Sequence, residues 1–225
     1  MKKIFLGPPG SGKGTYSKRI APQKNVPHIS TGDLFRENIK NQTDIGKKAK
    51  GYMDKGLLVS DEIVIEMLKE RICCEDCEKG FILDGFPRTI PQAEMLDTLT
   101  EIDVVLNLII PEDILIEKIC ARRVCKECGD IYNIANINKN GIRMPPMDPI
   151  KEGECDKCGG ELIQRNDDNE KVVKQRLEIY KKETQPLINF YNEKGLLKEI
   201  KIKGPPEEMV PEIIKLLQEI EKNLK

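Results

Sequence analysis

Short apolar runs alternate along this chain with stretches whose apolar residues recur at helical spacing. Ile4-Phe5-Leu6, Phe81-Ile82-Leu83, the run 104–110 and the run 196–202 read as strands. Helices are predicted over 13–20, 61–71 (with Asp61 as a plausible cap), 91–99, 112–122, 167–191 and 206–224. This alternation predicts an α/β fold with a parallel sheet. Two stretches break the rhythm. Residues 30–59 are polar and helical, with Gly46, Gly51 and Gly56. Residues 125–158 are rich in Gly, Pro, Asn and Lys and show little periodicity, so they are expected to serve a function or to be held by something other than a core.

Composition narrows the picture. A chain of 225 residues with 39% hydrophobic content can bury one substantial core and carry small inserted lobes. Charged residues make up 33% but leave a net charge of -1, which argues against a general nucleic-acid or membrane-surface binder. The apolar run after Lys2-Lys3 is too short for a signal peptide, and no run approaches the roughly 20 apolar residues of a membrane span. A cytoplasmic protein is expected.

The strongest chemical signal is Gly7-Pro8-Pro9-Gly10-Ser11-Gly12-Lys13-Gly14-Thr15, set between a predicted strand and a predicted helix. This is a phosphate-loop pattern: glycines let backbone N–H groups approach phosphate oxygens, the helix N-terminus adds positive potential, and Lys13 reaches the outer phosphates. Gly14 stands where Ser or Thr is usual, and Thr15 follows one residue later. Asp84 ends the second strand, where a carboxylate can hold Mg²⁺ directly or through water. Gln92 and the arginines 36, 88, 122, 123, 165 and 176 lie near segment junctions. Arginine suits forked phosphate contacts. So many point to a phosphorylated acceptor as well as a triphosphate donor, although Arg123 can be read as a plain surface residue.

At this point the sequence closely resembles adenylate kinase. The resemblance rests on the phosphate loop, Ser30-Thr31-Gly32-Asp33-Leu34, Asp84-Gly85-Phe86-Pro87-Arg88-Thr89, Ala121-Arg122-Arg123-Val124 and Arg165-Asn166-Asp167-Asp168, in order along nearly the whole chain. It implies a P-loop NTPase fold, with a five-stranded parallel sheet flanked by helices and two inserted mobile lobes. The core would comprise 1–29, 60–121 and 162–225, the monophosphate lobe 30–59, and a zinc-bearing lid 122–161. It implies phosphoryl transfer from MgATP to AMP, giving two ADP, in a monomer without nucleic-acid or membrane partners. Gly10, Ser11, Gly12, Lys13, Gly14 and Thr15 would bind ATP phosphates, joined by Arg122, Ile131 and Tyr132, with the backbone near Pro206 at the adenine. Thr31, Arg36, Leu57, Leu58, Val59, Gly85, Phe86, Pro87, Arg88 and Gln92 would form the AMP site, Gln92 reading the adenine edge. Arg165 and Arg176 would bridge both nucleotides, and Lys13, Asp84, Arg88 and Arg122 would complete the catalytic set. Two positions depart from the family pattern. Lys118 replaces an arginine that stacks on the ATP base, which broadens the expected donor selectivity, and Ser60 replaces a frequent proline with little expected effect.

Eight cysteines in a cytosolic chain are read for metal before disulfides. Cys125-x2-Cys128 and Cys155-x2-Cys158, each followed by glycine, have the knuckle spacing of a structural four-thiolate zinc site, with iron as the alternative. The stretch between the pairs is longer than expected for such a lid, which leaves a longer tip around 136–148 with no assigned role. Cys73, Cys74, Cys77 and Cys120 read as buried or incidental thiols, and His28, the only histidine, as structural. Competing readings are a kinase for GMP or UMP, a P-loop hydrolase that needs no acceptor, and an ATP-regulated zinc-ribbon nucleic-acid binder. The last is disfavoured by an aromatic content of 4%.

Overall fold

The computed structural model describes residues 1–223. Strands β1 (Lys3–Leu6), β2 (His28–Ser30), β3 (Ile82–Asp84) and β4 (Val104–Ile109) join a late strand, Leu197–Lys201, in one parallel sheet. Between β4 and that strand lie β5 (Arg122–Cys125), β6 (Ile131–Asn133), β7 (Ile137–Lys139), β8 (Ile142–Met144) and β9 (Leu162–Ile163), so the late strand is β10. The five-stranded order is β10-β4-β1-β3-β2. All four residues of β1 are buried, as expected of a central parallel strand covered on both faces. Its side chains alternate: Ile4 and Leu6 join a core with Phe81, Leu83, Leu68 and Leu187, while Phe5 joins the opposite one with Leu106, Leu108, Ile114 and Ile213.

The helices are α1 (Lys13–Ile20), α2 (Thr31–Lys40), α3 (Asp44–Met53), α4 (Asp61–Ile72), α5 (Ile90–Leu99), α6 (Glu112–Cys120), α7 (Glu170–Ile179), α8 (Pro186–Glu193) and α9 (Pro206–Asn223). Leu224, where the last predicted helix ends, lies outside the described residues. Ser30, Thr43, Thr89 and Asn169 cap their helices by accepting a backbone N–H in the first turn. Asp61 does not. It is the first residue of α4, and its carboxylate bonds Gln92 instead.

Two other expectations are corrected. The helix predicted to reach residue 122 ends at Cys120, and Arg122 opens β5. The helix predicted over 167–191 is broken by a π turn at Tyr180–Thr184, where Gln185 N–H reaches back to the Tyr180 carbonyl at 2.8 Å. Pro186 follows, and a residue without N–H cannot continue the ordinary ladder. The segment without periodicity, 125–158, carries short strands. Its β6 joins an antiparallel sheet of order β6-β5-β9 with the strands at its two borders, and it holds a separate β7-β8 hairpin; strands of two to four residues are too short to show a period.

Topology positions the site. After β3 the chain crosses to the far side of β1, so the carboxyl ends of β1, β3 and β4 flank a crevice at the switch point. The parallel register pairs Phe5 with Asp84, which sets that carboxylate beside the start of the phosphate loop. No helix among the described residues is long and apolar enough to cross a membrane.

Candidate active site

Residues 7–12 link β1 to α1 in a tight loop in which Gly10 (φ 84) and Gly12 (φ 96) adopt left-handed backbone. A Cβ at Gly12 would lie 2.6 Å from the Tyr16 ring, and one at Gly10 would lie 2.7 Å from Ile119. Only glycine fits either place. Lys13 Nζ folds over the loop and donates to the carbonyls of Gly7 (2.7 Å) and Pro8 (3.0 Å). Burial pushes Lys13 down to about 8; Asp84 opposes this, and the charges of Arg88, Arg176 and Arg122 add to it. Asp84 faces His28, with Nε2 3.4 Å from Oδ2. Burial works against the Asp84 carboxylate, but the His28 bond and the Lys13 charge outweigh it and hold Asp84 below its ordinary range. His28 thus has a place beside the site. The parallel β2–β3 pairing, which sets Ser30 against Asp84, is what brings it there.

A cavity of about 220 Å³ opens over the loop. Gly10, Gly12, Lys13, Gly14, Thr15, Asp84, Pro87, Arg122, Ile131, Arg165 and Pro206 line it. A smaller recess of about 70 Å³ adjoins it, lined by Thr31, Leu57, Val59 and Gln92. Arg36, Leu58, Gly85, Arg88 and Arg176 line both. Three expected residues face neither. Ser11 is wholly buried, its hydroxyl without a hydrogen-bond partner among the described residues. Phe86 belongs to the core. The Tyr132 side chain turns to the cysteines, so a nucleotide contact there would fall to its backbone. Lys118 lines the larger cavity, and burial pushes its ammonium down to about 8.

The cations are held by acids that sequence reasoning did not single out as site residues. Arg122 makes a two-pronged pair with the fully buried Asp168, and Arg176 bonds Asp167 at 2.8 Å. Asp33 accepts from Arg36 at 2.5 Å and lies 3.8 Å from Arg165. Burial disfavours the Arg122 cation, yet the bond and charge of Asp168 more than compensate and raise its pKa. Arg165 and Arg176 are pushed down, by burial first and then by neighbouring arginines, and Arg165 Nε lacks a hydrogen-bond partner among the described residues. Such a cluster favours an anion in its midst. The acidic pair Asp167-Asp168, two and three residues after Arg165, was the available signal.

Gln92 is 2% exposed and doubly anchored. Its Oε1 accepts Arg88 N–H at 2.7 Å, and its Nε2 donates to Asp61 Oδ1 at 2.6 Å. The donor and the carboxylate together fix which way the amide points, leaving one N–H and one lone pair free.

The Sγ atoms of Cys125, Cys128, Cys155 and Cys158 all lie within 4.8 Å of one another. The separations of 3.5 Å (Cys125–Cys158) and 3.6 Å (Cys128–Cys155) exclude disulfides. They come close to the ~3.8 Å edge of a tetrahedron with metal–sulfur bonds of about 2.3 Å. The donor set therefore fits zinc. The Tyr132 hydroxyl donates to Cys155 Sγ at 3.6 Å and accepts from Asp156 N–H at 2.8 Å. Of the remaining cysteines, Cys73 and Cys74 are exposed, Cys120 is half-buried, and Cys77 is buried against Arg71.

The adenylate kinase family model matches residues 5–196. The chain belongs to the adenylate kinase family. It is 54% identical over 202 residues to the adenylate kinase of Caldicellulosiruptor bescii, covering 88% of this chain and 89% of that protein. It is 50% identical over 205 residues to that of Archaeoglobus fulgidus, covering 89% and 90%. With that of Thermodesulfovibrio yellowstonii it shares 46% over 224 residues, covering 97% and 99%. Adenylate kinase activity, phosphoryl transfer between ATP and AMP, accounts for two adjoining cavities that share a cationic wall. Gly14 followed by Thr15 is part of a phosphate loop that adopts the expected strand–loop–helix geometry.

Proposed function

We propose that the chain transfers the γ-phosphoryl group reversibly from MgATP to AMP, giving two ADP, by in-line attack of the AMP phosphate without a general base. The observation that carries this reading is the pair of adjoining cavities with Arg88 and Arg176 in the wall of both. The larger would take ATP, with its phosphates on residues 10–15 and Arg122, and its base toward Pro206. The smaller would take AMP, with its phosphate on Arg36 and Arg88 and its base against Gln92. Adenine offers an acceptor at N1 and a donor at N6, which complements the free N–H and lone pair of Gln92.

A monophosphate with a second pKa near 6 is already mostly deprotonated at pH 7. What remains for the protein is alignment and stabilisation of charge spread over the transferred group. Lys13, Arg88, Arg165 and Arg176 do both from fixed positions. Asp84 would hold magnesium, directly or through water, and that ion supplies neutralising charge to the phosphate oxygens. The four cysteines would hold a structural zinc, with iron the alternative, and fasten the β5–β6 and β9 segments where little core exists. Segments 30–59 and 122–161 act as mobile lobes on a core of 1–29, 60–121 and 162–225, closing to keep water from the phosphates. A monomeric cytoplasmic enzyme with no nucleic-acid or membrane partner suits a net charge of -1 and few aromatics.

The test is ADP formation from ATP and AMP with and without Mg²⁺, with GMP and UMP replacing AMP in parallel. Turnover that requires both AMP and Mg²⁺ is expected. Equal or faster turnover with GMP or UMP would reassign the acceptor, and phosphate release from ATP alone would make the chain a hydrolase.

A further inference from the structure

Residues 136–148 have no task in the transfer as described, yet they are not a loose tip. β7 and β8 form a hairpin turned at Asn140-Gly141, both with positive φ. Ile137, Ile142 and Met144 are buried and join the cluster that holds Leu115 and Ile119 of α6. Polar contacts fasten the turn to the same helix. Lys139 Nζ lies 3.1 Å from Glu117 Oε2 and 3.7 Å from Asp113 Oδ2, and Asn140 Nδ2 donates to Asp113 Oδ2 at 3.0 Å. On the other flank, Arg143 N–H donates to the Lys203 carbonyl at 3.0 Å. The hairpin therefore spans from α6 to the segment that leads into α9.

These two supports also wall the larger cavity. Ile119 abuts the phosphate loop at Gly10, and Lys118, Ile119 and Gly204–Pro206 all line the cavity. Ile137 and Met144 line the same cavity. They bring apolar surface and no charge, which suits the faces of a purine and not its phosphates. Lys118 has no planar face to stack on a base, so the apolar wall falls to the hairpin.

We propose that the β7–β8 hairpin is a clasp on the base of the triphosphate: Ile137 and Met144 contact the base, and the Lys139/Asn140 fastening to Asp113 and Glu117 sets how firmly the clasp holds. The inference rests on the donor site assigned above. Lys139, Asp113 and Glu117 are each about half exposed, so each contact is individually weak and the effect of losing them is modest.

The test is the double variant Lys139→Ala/Asn140→Gly, with glycine chosen to keep the positive φ of the turn. MgATP and AMP binding are measured by calorimetry, and inorganic tripolyphosphate, which lacks a base, by its inhibition constant against MgATP. The Kd for MgATP is expected to rise at least about threefold, with the AMP and tripolyphosphate constants unchanged within twofold. An MgATP Kd within twofold of wild type overturns the clasp, as does a tripolyphosphate constant that rises in step with it. Wild-type protein that binds no MgATP would overturn the donor site itself, and the clasp with it.

Discussion

Replacing Asp61 with alanine is expected to weaken AMP about tenfold while leaving ATP untouched. The reason lies in how Gln92 is held. A buried amide can be turned over at little cost unless its neighbours distinguish oxygen from nitrogen. Here Arg88 N–H can meet only the oxygen, and the Asp61 carboxylate can meet only the NH₂. Asp61→Ala removes a hydrogen bond to a charged group, worth about 1.5–3 kcal/mol when fully made. Asp61 is partly exposed, which favours the lower figure, and ~1.4 kcal/mol corresponds to tenfold in KM. Asp61→Asn keeps an acceptor oxygen in place and should cost about threefold or less, roughly 0.7 kcal/mol. Both variants remove the same negative charge from the first turn of α4, where it is worth about 0.3–1 kcal/mol. Their difference therefore reports the anchoring of Gln92 alone. The assay is steady-state KM for AMP and for MgATP, with thermal melting as a control. An AMP KM within twofold of wild type for Asp61→Ala, equal values for the two variants, or a parallel rise in the ATP KM would each refute the reasoning.

Three further outcomes are expected. The pH profile should separate free enzyme from complex: Lys13 titrates near 8 when free, so kcat/KM for ATP falls as pH rises through that value. Bound phosphate favours the cation, so kcat holds to higher pH, and superimposed profiles would exclude this role. Arg88→Ala should lower kcat/KM on the order of 10²–10³-fold, as for loss of a transition-state donor; a change within about threefold, ~0.7 kcal/mol, would remove Arg88 from the catalytic set. Reduced protein should carry about one zinc per chain, as a closed four-thiolate site requires, and Cys128→Ser should lower both that content and the melting temperature; metal content well under one in wild type would refute the site.

The legible parts of the sequence were those where one local pattern suffices. The phosphate loop, the Asp84–Thr89 run and the two cysteine pairs each announce their chemistry over a few residues, and the structure brings the first two to one cavity and the last to one cluster. What escaped depends on distant pairing. Asp168 is invisible as a partner until β5 delivers Arg122 to it, 46 positions earlier in the chain. His28 meets Asp84 only because β2 and β3 pair in parallel. Asp61 has the look of a helix cap, and only the packing of α4 near α5 makes it an anchor for Gln92. The hairpin at 137–144 was unreadable for another reason. Its strands are three residues each, too short to carry a period-two signal between a proline-rich stretch and a turn.

These hidden partners explain how a nearly neutral chain supports a strongly cationic site. Lys13 and arginines 36, 88, 122, 165 and 176 share one cavity wall. Burial first, and the repulsion of neighbouring cations after it, lower Lys13, Arg165 and Arg176. Asp33 bonds Arg36, Asp167 bonds Arg176 and Asp168 bonds Arg122, which holds these side chains in place, while the Asp84 charge favours the Lys13 cation. Asp168 lies behind the lining of both cavities, and Asp167 lines only the smaller recess, so neither takes up room in the larger one. The fold therefore keeps its donors fixed before substrate arrives, and the remaining mutual repulsion is relieved when phosphate enters. A site organised in this way favours the species with the most negative charge at its centre. In phosphoryl transfer that is the pair of nucleotides together, not either alone.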